Sequence, residues 1–81
     1  QNYPNPFNPQ TKFKFSIKRT SFAELKIFDI LGREVKTLVN ENLKAGEYEV
    51  SFNAAGLPSG VYFYRLNADD FTQTKKMVLI K

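Results

Sequence analysis

Apolar and polar residues alternate strictly in several short runs of this chain, and a period of two fits a half-buried β-strand and little else. In KFKFSI, Phe13, Phe15 and Ile17 share one face, while Lys12, Lys14 and Ser16 share the other. EYEVSF repeats the pattern with Tyr48, Val50 and Phe52 set against Glu47, Glu49 and Ser51. The run FAELKIFDI puts Ala23, Leu25 and Ile27 on one face with Phe22 and Phe28 opposite, which predicts a central strand covered in part on both sides. A helix over FAELKIF would be short and without a clear cap.

Turn residues separate the runs. Gly32 supplies the positive φ of a tight turn, so that 33–39 returns as the second arm of a hairpin. Asn42 and Gly46 are expected to punctuate a loop before EYEVSF. AAGLPSG, over 54–60, holds two glycines and a proline, too many breaks for either regular element, and reads as a longer crossing loop. VYFYRLNA follows as a strand with Val61 and Phe63 on one face and Tyr62, Tyr64 and Leu66 on the other. Asp69-Asp70 reads as a turn, and FTQTKKMVLIK as a last strand with Met77 and Leu79 opposite Val78 and Ile80.

Six or seven short strands at roughly ten-residue spacing predict an all-β chain folded as an antiparallel β-sandwich. A small barrel is the rival, but the 54–60 connection suits a strand that changes sheets, whereas an up-and-down barrel uses tight hairpins throughout. The expected core is Phe15, Leu25, Ile27, Val50, Phe52 and Val78. With 81 residues there is room for one domain. Residues 1–10 are expected to be a Pro-rich lead-in marking the domain boundary, and 11–81 the sandwich. Pro4, Pro6 and Pro9 fix φ, donate no N–H and extend the residues before them, leaving Tyr3 and Phe7 to project as anchors, although on composition alone a plain spacer is the preferred reading. No charged region followed by an apolar one opens the chain, so it reads as a piece of a longer protein rather than one beginning with a signal peptide.

The chain contains no His and no Cys, which removes thiol nucleophiles, imidazole bases, most zinc sites and any disulfide framework. Glu47 and Glu49 share a strand face and mimic a paired-acid site, but a solvated face opposite Tyr48, Val50 and Phe52 explains them better. Asp69 and Asp70 are turn residues before they are calcium ligands, and the glycines form no phosphate-cradling cluster. The expectation is therefore no enzyme, no cofactor and no metal. Twelve basic against eight acidic residues give a net charge of +4, spread too evenly for a nucleic-acid face, and no apolar run is long enough to insert in a membrane. Tyr62, Tyr64 and Arg65 offer an aromatic platform for a sugar or a partner if that face is open; core packing of alternate members is the preferred reading.

NYPNPFNPQT before a Phe-x-Phe strand, LKIFDILGREVKTL, KAGEYEVSF, LPSGVYFYRL and a terminal KKMVLIK together resemble, in order and over essentially the whole chain, the type A C-terminal sorting domain of the type IX secretion system of Bacteroidetes and related phyla. The resemblance implies an immunoglobulin-like β-sandwich at the C-terminus of a secreted protein. It further implies recognition in the periplasm by an outer-membrane translocon, delivery to the cell surface or medium, and in many systems removal by a surface sortase-like protease. Carried over residue by residue, a Pro-x-Gly-x-Tyr motif falls on Pro58, Gly60 and Tyr62, a Gly-x-Tyr element on Gly46 and Tyr48, and a basic terminal strand on 75–81 with Lys75, Lys76 and Lys81. Fold maintenance is the competing reading for each; for the lysines, recognition is preferred. LKIFDILGREV is also similar to a stretch of the immunoglobulin-like module of the flagellar hook-capping protein. A structural spacer or assembly module and a carbohydrate-binding accessory domain are therefore the alternatives.

Overall fold

The computed structural model describes residues 10–69 and 71–80. They form six strands: β1 (Gln10–Ile17), β2 (Ser21–Asp29), β3 (Glu34–Leu43), β4 (Gly46–Asn53), β5 (Gly60–Ala68) and β6 (Phe71–Leu79). β1 and β4 make a two-stranded sheet, and the other four lie in the order β3-β2-β5-β6, with every pairing antiparallel. The 54–60 segment carries the chain from the small sheet to the large one, as its turn residues predict. The architecture is the expected antiparallel β-sandwich, consistent with the immunoglobulin-like class.

The inward faces follow the alternation. Phe13 and Ile17 of β1, Ala23, Leu25 and Ile27 of β2 and Phe52 of β4 are buried together with Val39, Tyr62, Leu66, Ala68, Met77 and Leu79. The sheets meet where the Phe13 ring centroid lies 4.5 Å from that of Tyr64, and within the small sheet Phe13 lies 6.3 Å from Phe52. Of the six expected core residues, Leu25, Ile27 and Phe52 are buried, and Phe15 and Val50 are half-buried against the same cluster. Val78 is not part of it. In β6 the inward positions are Met77 and Leu79, which oppose Tyr62 and Gly60 of β5, while Val78 opposes Val61 on the outer face.

β3 is also longer than expected. It runs to Leu43, and Asn42 pairs with Phe22 inside the ladder instead of marking a loop, so that only 44–45 separate β3 from β4. An edge strand accepts such polar residues because one side of it is solvated.

The β2–β3 turn is built on Asp29. Its Oδ1 accepts from the backbone N–H of Leu31 and of Arg33, each at 2.9 Å, and its Oδ2 accepts from Arg33 Nε at 2.9 Å. Gly32, at φ +83°, donates to the Asp29 carbonyl. The N–H bond from Arg33, followed by the guanidinium and the Leu31 N–H, holds the Asp29 carboxyl below its ordinary value. Glu34 is lowered too, first by the Thr37 hydroxyl at 2.6 Å and then by Lys26 at 3.3 Å. A carboxyl depressed by folding stabilises above its unfolded value, near 4, and that contribution is lost as pH falls through the lower folded value. Asp29→Asn should therefore melt below the parent at neutral pH, and the gap in melting temperature should close as pH drops below about 4. A gap that stays constant down to pH 3 would show that the carboxylate is not what holds the turn.

Candidate recognition site

The sequence singles out three places, and the fold sets the Gly46 corner apart while pairing the Gly60 corner with the end of β6. The first two turn out to be one device used twice. In Gly46-Glu47-Tyr48 and Gly60-Val61-Tyr62, a glycine opens a strand and the tyrosine two residues later folds its hydroxyl back. Tyr48 Oη donates to the carbonyl of Lys44 at 2.6 Å, and Tyr62 Oη to the carbonyl of Pro58 at 2.7 Å. Gly46 and Gly60 take φ of +153° and +155°, which side chains rarely adopt, so the glycines are there for the backbone path. Each tyrosine closes the corner at which the chain changes sheets, and the Tyr62 latch has the form of the tyrosine corner of immunoglobulin-like sandwiches.

Burial separates the two latches. Tyr62 is 6% exposed and belongs to the core. Tyr48 is half-buried and stacks on Phe15, with ring centroids 5.6 Å apart. Pro58 is exposed in the crossing loop, which is further tied by Ala55 N–H to Asn53 Oδ1 at 2.9 Å and by Leu57 N–H to the Ala54 carbonyl at 3.0 Å. Because Ile17 pairs with Gly46 while Gly60 pairs with Leu79, the two corners stand at opposite ends of the sandwich.

The third place is β6. It is the last strand of the large sheet and pairs only with β5 among the described residues. Lys75 opposes Tyr64 and Lys76 opposes Phe63, so the two ammonium groups lie on opposite faces of the strand, and both residues are exposed. Lys81 lies outside the described residues, as does the lead-in apart from Gln10, which opens β1.

The aromatic platform does not assemble. Tyr62 and Tyr64 face inward, with Tyr64 against Phe13, whereas Arg65 lies on the outer face with its guanidinium 4.6 Å above the Phe28 ring. That cation–π contact has no signal in the linear sequence, because it depends on β2 and β5 being neighbours in register, with Lys26 opposite Arg65. Glu47 and Glu49 are exposed on β4, and Glu49 meets Lys12 at 4.0 Å and Lys14 at 3.9 Å. Asp69 is held by Arg19 at 3.1 Å. Among the described residues no group of three or more acidic side chains is placed to hold a metal.

Two tyrosine-latched corners around an antiparallel sandwich, with a basic strand at its edge, fit a structural or recognition module, and a comparison of the sequence with known families decides which. Residues 1–81 match the family described as the secretion system C-terminal sorting domain. The chain belongs to that family. Neither a curated protein nor a solved structure matches it. Sorting domains of this kind are parts of larger proteins that the type IX machinery exports to the cell surface or the medium, and the family is one of signals rather than of enzymes.

Proposed function

We propose that this chain is a non-catalytic sorting signal that takes its parent protein from the periplasm through the outer-membrane type IX translocon, and that the translocon reads the basic terminal strand. The family match over residues 1–81 carries this reading. Residues 1–10 act as the joint to the upstream protein and 11–81 as the signal, with a surface sortase-like protease acting after passage. Within the signal the candidate residues divide by what they touch. Gly46, Tyr48, Pro58, Gly60 and Tyr62 make corners, so that they support recognition through the fold. Lys75 and Lys76 enter no ion pair with the described residues and are free to meet a partner, and Lys81 is assigned the same role from the sequence alone. A carbohydrate-binding role is disfavoured by the inward-facing tyrosines Tyr62 and Tyr64.

The test fuses the chain to the C-terminus of a periplasmic reporter in a host that carries the secretion system. The parent sequence should deliver the reporter to the surface or medium. Lys75→Gln, Lys76→Gln and Lys81→Gln together should leave the melting temperature almost unchanged and strand the reporter in the periplasm. Undiminished export of the triple variant would remove the terminal strand from the recognition event. Failure of the parent sequence to export the reporter would remove the sorting reading itself.

A further inference from the structure

Charge is sorted across this sandwich in a way the even spread along the sequence conceals. Residues 10–20, which are β1 and the turn after it, contain Lys12, Lys14, Lys18 and Arg19 and no acidic residue. β6 contains Lys75 and Lys76 and again no acidic residue. Residues 34–53, which are β3 and β4, hold four glutamates against two lysines.

Topology puts the two basic strands side by side. With only 44–45 between them, β4 must lie next to the end of β3, which leaves β1 on the β5–β6 side of the sandwich. The contact of Phe13 with Tyr64 agrees, and so does an open cleft of about 580 Å³ in which Ile17, Lys18 and Arg19 face Ala68, Asp69 and Phe71, the Asp69 carboxylate being paired with Arg19. Four strands lie opposite two, so β6 is covered only in part. Met77 and Leu79 are buried, yet Phe71, Gln73 and Lys75, which share their face, are exposed. Among the described residues the flank therefore combines a strand edge that no other strand pairs with, an apolar floor in Ile17, Ala68 and Phe71, and a set of cations in which Arg19 alone has an acidic partner closer than 3.9 Å.

We propose that this β1–β6 flank is the docking groove for an acidic, extended segment of a partner protein, which adds as a strand to the free edge of β6. Unpaired backbone groups of an edge strand accept such a segment, and alternate side chains of the guest reach opposite faces of the sheet. Its carboxylates meet Lys75 and Lys18 on the cleft side and Lys76 on the outer side. Lysines on an edge also guard against aggregation, but that guard requires nothing of the turn after β1, where Lys18 and Arg19 lie. Residues 1–9 contain no carboxylate, so they lack the charge that would complement this groove. The inference rests on the sorting reading and names the chemistry the partner brings.

Binding to the full chain can be read by fluorescence anisotropy with a labelled nonapeptide of repeating threonine-glutamate-glutamate. Its threonine-glutamine-glutamine counterpart serves as the control. The acidic peptide should bind, and added salt should weaken it. Lys18→Glu, Lys75→Glu and Lys76→Glu combined should lower affinity by about tenfold or more, whereas Lys36→Glu with Lys44→Glu on the far flank should change it by less than about twofold. Amides of β6 that β5 leaves unpaired should gain hydrogen-exchange protection in the complex. Equal binding of the two peptides, equal loss in both sets of variants, or preference for heparin or phosphatidylglycerol vesicles with no protection of β6 would overturn the proposal. Export of the reporter is scored separately: peptide binding without any export defect in the Lys18, Lys75 and Lys76 variant would leave the groove standing and remove it from sorting.

Discussion

Replacing Ile27 with Ala should unfold a large fraction of the molecules. Ile27 has no solvent exposure and sits in β2, which has a neighbouring strand on each side, where it opposes Tyr64 of β5 and Lys36 of β3. Its neighbours in the core include Leu25, Met77 and Leu79, which like it are almost fully buried, so truncation leaves a void inside the packed cluster. An Ile→Ala change at such a site costs about 2–5 kcal/mol. A domain of this length has roughly 4–12 kcal/mol in total, at about 0.05–0.15 kcal/mol per residue. Urea titration followed by circular dichroism should show the midpoint driven toward zero denaturant. Val78→Ala, on the half-buried outer face, should cost only about 1 kcal/mol. Similar midpoints for the two variants would mean that the sandwich is not packed on the β2 face described above.

Removing residues 75–81 should abolish cooperative unfolding altogether. The cut takes away Met77 and Leu79, which are 0% and 1% exposed, and with them the part of β6 that pairs with Gly60 to Tyr64 of β5. Burial of two such side chains contributes about 3–6 kcal/mol, which is most of what a small domain possesses. Tyr62 would then have no partner on that side, while Leu66 would keep Gln73 opposite it. Lys75→Gln and Lys76→Gln remove no buried surface and should each shift stability by about 0.5 kcal/mol. Loss of export after truncation accordingly reports on folding, and loss after lysine substitution reports on recognition. A truncated chain that still melted cooperatively would place the stabilising core elsewhere.

The strands that could be read from the sequence are those in which only one face is apolar. KFKFSI and EYEVSF leave no choice of side, and both present the expected face to the core. In MVLI and VYFY every residue is apolar or aromatic, so the period of two carries no phase; the inward side is fixed only by pairing, which sets Met77 against Tyr62 and leaves Val78 outside. The last part of β3 was hidden for the opposite reason, because Asn40, Glu41 and Asn42 look like a loop until an edge position makes polar side chains acceptable. At the candidate site, the Gly-x-Tyr spacing was visible, but the bonds to carbonyls four residues back were not, since a hydroxyl's acceptor is set by the turn in three dimensions. The basic flank was invisible for the same reason: β1 and β6 are far apart in the chain and adjacent only in the fold.

The chain crosses between the sheets three times, and the crossings answer to different solution conditions. The 44–46 and 58–62 corners are closed by neutral hydroxyls, whose bonds to carbonyls are indifferent to ions in the buffer. The passage from β1 to β2 is closed by an exposed guanidinium–carboxylate pair, Arg19 with Asp69, and an exposed pair weakens as counter-ions accumulate. Ionic strength therefore acts on this domain as a selective solvent for one seam, loosening the margin beside the basic strands while leaving the two tyrosine-closed margins as they were.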